Sequence, residues 1–370
     1  HENHKTTDRR LAHQVASAVR TLGTATRDAE GKIIKDEHGK TVFAPGRFDE
    51  VKGVGWYIDE YDRAQVSLNL TDTSVSPMHE VFEACREEAA ARGMRVTGSE
   101  IVGLVPLEAM LAAGDHFLEA QGRTTGVPER ERVKAAAVSL GLDEITPFDP
   151  AAKIVEYRFR GEPAGLLLQT LADFAEELSQ VSPAPGGGSV AALAGALSAS
   201  LSSMVASLTF AKAGMEETRP SMESAGGDAQ ALKDWFLAAV DRDTDAFNAV
   251  LAAIRMPRKT DSDRAAREVA MAAANLEATL VPLGVLEHCV EALELALITA
   301  SDGNPNSISD AGVAAACAVA AAEGASLNVR INLDGLEGDV SAIVERQDAA
   351  LAKSREMGAA VMRIVDERLQ

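Results

Sequence analysis

Residues 182–211 read SPAPGGGSVAALAGALSASLSSMVASLTFA, and this stretch joins a glycine-rich loop to a long uncharged segment. Pro183 and Pro185 end any preceding helix. The three glycines at 186–188 leave backbone N–H groups uncovered where the next helix begins. Because a helix N-terminus carries partial positive charge, this loop predicts a place for an anion or a polar ligand edge. A tight turn before a capped helix is the alternative.

The segment after this loop has a face of small side chains. Glycine, alanine or serine recurs every four residues, at Gly187, Ala191, Gly195, Ala199, Ser203 and Ser207. The run from 189 to 211 is long enough to span a bilayer, since about 20 apolar residues suffice. It carries six serines and one threonine, however, and has no aromatic belt or flanking basic cluster. We therefore expect a central helix of a soluble helical bundle, with no membrane association.

Composition excludes some function classes. The chain has 370 residues, enough for two or three domains, and a formal net charge of −20. Such an acidic surface repels the phosphate backbone of nucleic acid, and we therefore expect no nucleic-acid partner. Cys85, Cys289 and Cys317 are far apart, which predicts a reducing, cytoplasmic location. The sequence contains no HExxH or CxxC motif, and we predict no metal site.

The first part of the chain mixes two periodicities. Apolar alternation predicts strands at 51–58, 65–70, 94–104 and 154–159. Helical spacing predicts helices at 8–22, 78–92, 107–112 and 130–140. Residues 24–47 carry turn signals and predict a surface loop or hairpin. Strands alternating with helices predict an α+β domain over 1–160, with a ferredoxin-like split βαβ arrangement.

After a predicted linker at 161–165, the sequence changes character. Residues 166–370 are rich in alanine and leucine at helical spacing, with no convincing strand. The predicted helices are 166–179, 189–213, 227–255, 262–300, 310–327 and 336–369. Pro282 is expected to kink or split the fourth of them. The fold class is therefore multidomain, an α+β domain followed by an all-helical bundle.

A carboxylate interrupts the apolar face of the predicted helix 227–255. The apolar residues of this face are Phe236, Val240, Phe247, Val250 and Ile254. Asp243 lies three residues after Val240 and four before Phe247, so it shares their face. A buried carboxyl group has a raised pKa unless it is paired, and such a group can act as a general acid and base. The alternative is a structural aspartate bonded to a neighbouring helix N-terminus or to an arginine.

Two further polar features follow. Arg258 and Lys259 come directly after this helix, where they could meet an anionic substrate or complement the helix dipole. Asp310 follows the polar segment NPNSIS and is predicted as the N-cap of an alanine-rich helix, with a possible place in a pocket.

Several of these segments resemble a known family. SPAPGGGSV at 182–190, VDRDTDAF at 240–247, IRMPRKT at 254–260 and NVRINL at 328–333 are similar to the cyclodeaminase part of bifunctional formiminotransferase-cyclodeaminase. In the first half, VKGVGWYIDEYDRAQVSLNLTD at 51–72, GSEIVGLVPLEAML at 98–111 and LGLDEITPFDP at 140–150 resemble the C-terminal subdomain of glutamate formimidoyltransferase. The resemblance covers nearly the whole chain.

The resemblance implies a function in histidine degradation and one-carbon metabolism. A cyclodeaminase closes 5-formimidoyltetrahydrofolate to 5,10-methenyltetrahydrofolate and releases ammonia. The match would make Asp243 the acid and base. It would also place substrate against three groups of residues. These are the loop residues Pro185, Gly186, Gly187, Gly188 and Ser189, the basic residues Arg258 and Lys259, and the predicted capping residue Asp310. The expected partner is a folate, possibly polyglutamylated, with no tightly bound cofactor, in a homo-oligomer.

The resemblance also implies that the chain lacks the transferase's N-terminal subdomain with its catalytic histidine. On this interpretation, transferase activity is not expected from the chain alone. Two alternative functions remain open. The chain could be part of a bifunctional enzyme whose transferase half lies elsewhere, or the helical half could be a non-catalytic oligomerisation module with close-packing small-residue faces.

Overall fold

The computed structural model describes residues 2–4, 8–159, 165–182 and 184–370. They form two compact units. The first contains the described residues of 1–123 and 128–161, and the second contains 124–127 with the described residues of 162–370. Most of the predicted linker at 161–165 lies outside the described residues, as does Pro183. The predicted domain bounds at 160 and 166 therefore stay a prediction.

The first unit is an α+β structure. Its elements are β1 Glu2–His4, α1 Arg9–Val19, β2 Thr24–Ala25, β3 Phe43–Ala44, β4 Val51–Ile58, β5 Arg63–Leu70, α2 Met78–Ala91, β6 Val96–Ser99, α3 Leu107–Ala120, α4 Glu129–Ser139, α5 Pro150–Lys153 and α6 Val155–Phe159. The main sheet has the strand order β4-β5-β1-β6, and every neighbouring pair is antiparallel. Strands β2 and β3 pair with each other, which confirms the predicted hairpin.

Helix α1 packs closely against β4. Asp8 begins the helix, since its side chain accepts a hydrogen bond from the Arg10 N–H. Val15 and Val19 of the helix are fully buried, and Leu11 packs partly buried against the same core. A Cβ at Gly55 would come within 2.1 Å of the His13 nitrogen, so this close approach requires glycine.

Two strand predictions in this unit are wrong. Only Val96–Ser99 of the predicted strand 94–104 is a strand. Beyond its end, Gly103 has a positive φ of 84°, which does not fit an extended run. The segment 154–159 is not a strand. Ile154 makes an isolated bridge to Val105, and helix α6 follows it. The apolar residues of this segment fit helical spacing as well as alternation, so periodicity alone cannot separate the two.

The second unit is an all-helical bundle. Its helices are α7 Leu171–Leu178, α8 Gly187–Phe210, α9 Arg219–Arg255, α10 Asp261–Asp302, α11 Ile308–Leu333 and α12 Ser341–Leu369. Helix α9 begins eight residues before the predicted start at 227. Helix α10 is continuous through the buried Pro282, so the predicted split is wrong. Val281 and Leu283 are buried beside it, and this packing offsets the backbone bond that proline cannot make.

The small-residue face of α8 forms the centre of this bundle. Ala191, Ala199 and Ser203 of this face are buried, whereas Leu197 and Leu208 are exposed. A Cβ at Gly195 would come within 2.5 Å of the Phe236 ring, so glycine lets α9 approach α8. The predicted close-packing helix is therefore confirmed. Small residues, rather than the large apolar ones, face the core.

The length and hydropathy of the helices bear on membrane association. By these two properties, three segments of the described chain are long and apolar enough to cross a bilayer, namely Gly187–Phe210, Asp261–Asp302 and Pro305–Leu333. Between 39% and 61% of the most apolar window in each is buried against other helices of the bundle. The absence of membrane association stays a prediction.

Candidate functional site

Asp243 lies on α9 opposite the first turn of α8. Its Oδ2 accepts a hydrogen bond of 3.0 Å from the Ser189 hydroxyl. The same hydroxyl lies 3.2 Å from Oγ1 of Thr244. Ser189 is fully buried and Asp243 is half-buried. The contact joins residues 54 positions apart in the sequence, so the fold brings the glycine loop and the carboxylate together.

The glycine at position 188 makes this contact possible. A Cβ there would lie 1.9 Å from Oδ1 of Asp243, far inside any allowed separation. The N-cap residue of α8, Gly186, has no side chain to cap the helix. The Ser189 hydroxyl, in the first turn of the helix, bonds the Asp243 carboxylate instead, and the backbone N–H of Ser189 favours the charged form of that carboxylate. Asp243 therefore caps α8 from a neighbouring helix, as the structural alternative from the sequence proposed.

The surroundings of Asp243 also tune its acidity. Burial raises the pKa of the Asp243 carboxyl, and the hydrogen bonds from Ser189 lower it without cancelling the rise. A carboxyl group with a raised pKa keeps its proton up to a pH closer to neutral than an ordinary aspartate does. It can therefore accept a proton in one step and return it in the next. Capping and proton transfer are compatible in one residue.

Asp243 faces a cavity of about 330 Å³ within the second unit. Four elements meet there, the start of α8, α9, α10 and the C-terminal end of α11. The lining residues are Ala184, Gly186, Gly187, Gly188, Asp243, Phe247, Val250, Asn275, Ala278, Asn328, Ile331, Asn332 and Gly335. The cavity thus combines backbone amides, one carboxyl group and apolar walls, which is typical of a small-molecule site.

Three asparagines on the cavity wall share one arrangement. The Nδ2 groups of Asn275, Asn328 and Asn332 donate to backbone carbonyls of Gly335, Gly324 and Ala278, at 2.7, 2.8 and 2.6 Å. These bonds fix the amide groups, and their Oδ1 atoms remain acceptors without a bond to another described residue. The wall therefore suits a ligand with N–H donors on its edge.

The sequence analysis assigned no role to these asparagines. Asn328 and Asn332 lie four residues apart on α11, a spacing that places them on one helix face. This spacing was a usable signal. Asn275 was harder to find, since a lone asparagine in an alanine-rich helix says little about what it faces.

The other predicted site residues are placed differently. Pro185 is buried beside the loop. Arg258 lines a second cavity, whereas Lys259 is exposed and lines neither cavity. The side chain of Asp310 lies in the first turn of α11, whose N-cap is Ser307. Asp310 is 18 residues before Asn328, about 27 Å along the helix at 1.5 Å per residue.

The predictions for Asp310 are therefore corrected. It is not an N-cap, since Asn304 caps a short 3₁₀ turn at Pro305–Ser307 and the helix starts directly after that turn. Its position at the far end of α11 also keeps it out of the cavity around Asp243. Among the residues that the structure describes, no group of three or more His, Cys, Asp or Glu is placed to hold a metal ion.

Two family models match the chain. Residues 170–351 match the model described as formiminotransferase-cyclodeaminase, and residues 3–160 match the formiminotransferase domain. The second match corrects the expectation that the chain lacks a transferase subdomain, because residues 3–160 carry a formiminotransferase domain.

Curated relatives agree with these matches. The chain is 35% identical to formimidoyltransferase-cyclodeaminase of Mus musculus over 328 residues, covering 88% of this chain and 60% of that protein. It is 38% identical to methenyltetrahydrofolate cyclohydrolase of Methylorubrum extorquens over 169 residues, covering 46% of this chain and 81% of that protein. The chain spans about 60% of the length of the bifunctional relatives that it matches.

A solved structure has the fold of the second half. The crystal structure of formiminotetrahydrofolate cyclodeaminase from Thermotoga maritima superposes with a TM-score of 0.50, at 24% identity. The match covers 56% of this chain and 100% of that chain. At this identity the likeness shows a shared fold and no more.

Proposed function

The chain belongs to the formiminotransferase-cyclodeaminase family, and from that premise we propose that its helical unit is a formimidoyltetrahydrofolate cyclodeaminase. The reaction would close 5-formimidoyltetrahydrofolate to 5,10-methenyltetrahydrofolate and release ammonia. One observation carries the proposal, namely that Asp243 meets the glycine loop inside a cavity and has a raised pKa. The proposal requires no metal ion, since every step is a proton transfer, an addition or an elimination.

The proton transfers balance through a single carboxyl group. In the protonated formimidoyl group, N10 of the folate adds to the formimidoyl carbon and becomes positively charged. The Asp243 carboxylate takes the N10 proton, and the resulting carboxylic acid gives it to the amino group on the same carbon. The carbon–nitrogen bond then breaks, ammonia leaves, and the positive charge stays on the methenyl bridge. Asp243 is again a carboxylate at the end of the reaction, as it was at the start.

The cavity supports this chemistry by positioning the reactants. Holding two nitrogens of one molecule in attack geometry removes much of the entropic cost of ring closure. The pyrimidine edge of a pterin carries N–H donors, which suit the free Oδ1 atoms of Asn275, Asn328 and Asn332. The amides of the glycine loop can bond the acceptors of the same ring. We propose that the pterin lies between the loop and the asparagines.

We propose that the whole enzyme is bifunctional, since the first unit matches the formiminotransferase domain. The order β4-β5-β1-β6, with helices between the strands, also supports a ferredoxin-like arrangement for this unit. A homo-oligomer and a cytoplasmic location are parts of the same proposal. A purely structural helical module is disfavoured, because such a module needs no carboxyl group with a raised pKa in a cavity.

A second function is favoured by the relative from Methylorubrum extorquens, of which the chain covers 81%. That protein is named a methenyltetrahydrofolate cyclohydrolase. The same cavity could admit water, and Asp243 could take its proton as water adds to the methenyl carbon. This reaction consumes the methenyl group and releases no ammonia. Methenyl absorbance therefore falls in the hydrolase reaction, whereas it rises together with ammonia in the cyclodeaminase reaction.

A two-channel assay of the purified chain tests both functions. With 5-formimidoyltetrahydrofolate as substrate, we expect methenyl absorbance to rise while one ammonia appears for each methenyl group formed. With 5,10-methenyltetrahydrofolate as substrate, a fall in absorbance above the buffer rate indicates the hydrolase. If neither methenyl product nor ammonia forms above the uncatalysed rate, the cyclodeaminase proposal is wrong.

A further inference from the structure

Two histidines of the first unit stack on each other where α2 meets α3. The ring centres of His79 on α2 and His116 on α3 lie 4.4 Å apart, and the ring planes are 23° from parallel. His79 is 8% exposed, and His116 is half-buried. Neither ring has a part in the chemistry around Asp243, which lies in the second unit. Imidazole is the side chain whose ordinary pKa lies closest to neutral, so a contact between two of them can respond to pH.

The stack lies beside an apolar core. Phe82, three residues after His79 on α2, and Ala113, three residues before His116 on α3, belong to one buried cluster. Phe117, next to His116, belongs to the same cluster. Because residues three apart share a helix face, the two rings continue the contact that this cluster makes between the helices. A change that separates the rings would therefore bring water to the apolar surface between α2 and α3.

The geometry of the buried ring favours its neutral form. Nδ1 of His79 is buried and has no hydrogen-bond partner among the residues that the structure describes. In a neutral imidazole this nitrogen can be the unprotonated one, with the proton on Nε2. In an imidazolium both nitrogens carry protons, so Nδ1 would become a buried donor without an acceptor and part of a buried charge. The stacked arrangement therefore opposes protonation of His79.

The charges around His79 do not offset this cost. Burial lowers the pKa of the His79 imidazole, His116 on the facing helix lowers it further, and the exposed Glu80 on α2 raises it by less. Other carboxylates on these helices already bond arginines, namely Glu83 with Arg86 and Asp115 with Arg132. The surroundings of His79 therefore agree with the geometry in favouring a neutral ring.

We propose that the His79–His116 stack is a pH-sensitive contact, which holds α2 against α3 while His79 is neutral and loosens when His79 takes up a proton. This inference goes beyond the proposed function, since it concerns the first unit and requires no folate. In the unfolded chain a histidine takes up its proton near pH 6.5, whereas folded His79 does so only at lower pH because its pKa is lowered. The contribution of neutral His79 to stability is therefore complete above about pH 6.5 and is lost as the pH falls below that value.

An NMR titration of the histidine rings in the full chain tests the protonation of His79 directly. The chain has seven histidines, and the signal that disappears in His79→Phe and in His79→Gln belongs to His79. We expect the titration midpoint of this signal to lie below pH 6.5. We expect His116→Phe to raise the midpoint, because a facing ring remains but carries no charge. A midpoint at or above pH 6.5, or one that His116→Phe leaves unchanged, overturns the proposal.

Denaturant unfolding connects the ring to the stability of the first unit. In a Trp235→Phe background, Trp56 on β4 is the only tryptophan left, so its fluorescence reports unfolding of this unit. Between about pH 5 and 6.5, unfolding of this parent chain should take up to about one proton more than unfolding of its His79→Phe variant, whose ring can stack but cannot be charged. The control is His38→Gln, which changes an exposed histidine of the same unit and should match the parent. Equal proton uptake by the parent and His79→Phe would contradict the proposal.

Discussion

Replacing Asp243 by asparagine should lower the rate of methenyltetrahydrofolate formation about a thousandfold, the usual range for loss of a general acid–base group. Asparagine has nearly the same shape, and its Oδ1 can still accept the bond from Ser189, but it cannot take up the N10 proton. The unfolding temperature should stay the same or rise. Burial raises the pKa of Asp243 above its unfolded value, so the charged form is disfavoured in the fold and a neutral side chain is tolerated.

The matched control is Asp245→Asn, which changes an exposed aspartate two residues further along α9 and should keep full activity.

The pH dependence of kcat provides a second test of Asp243. The carboxylate form must accept the N10 proton, so wild-type kcat should fall as the pH drops through the raised pKa of Asp243. Asp243→Asn should lack this acidic limb. Activity of Asp243→Asn within about tenfold of the wild type would remove Asp243 from the mechanism.

Gly188→Ala should have the second largest effect. The added methyl group would come within 1.9 Å of Oδ1 of Asp243, so either the carboxylate or the first turn of α8 must move. A misplacement of about 1 Å can cost a hundredfold in rate, and we expect a loss of that size. Overpacking should also lower the free energy of unfolding by about 1–3 kcal/mol. Steady-state kinetics and thermal unfolding measure the two effects.

A control for glycine replacement is available on α9. Gly227 lies inside the helix, and a Cβ there would meet no atom within 4 Å. Gly227→Ala should therefore keep the activity and raise the free energy of unfolding by about 0.5–1 kcal/mol, because alanine favours the helix. If Gly188→Ala matches Gly227→Ala in both measurements, the close contact between Gly188 and Asp243 is not required.

The sequence was most informative where a local pattern determines the outcome. The apolar spacing around Asp243 put its carboxylate on the inner face of α9, and the structure places it 3.0 Å from Ser189. The prediction offered a catalytic or a structural aspartate as alternatives. The structure places the carboxylate both at the first turn of α8 and at a cavity, a combination that suits either alternative. That combination depends on a contact across 54 residues, which no local pattern reports.

Other features depended on tertiary structure. The capping rule favoured Asp310, but the chain turns at Pro305–Ser307 and starts α11 two residues before it. Lys259 lies next to Arg258 in sequence, yet only Arg258 lines a cavity. Neighbours in a loop need not share a site.

The most direct test of the central claim is a crystal structure of Asp243→Asn with 5-formimidoyltetrahydrofolate bound. We expect the pterin between residues 186–188 and the asparagines of α10 and α11. The side chain of residue 243 should lie within about 3.5 Å of N10 or of the formimidoyl nitrogen, the range for reacting groups. Ligand bound elsewhere, or bound in this cavity with both nitrogens beyond reach of residue 243, would contradict the account.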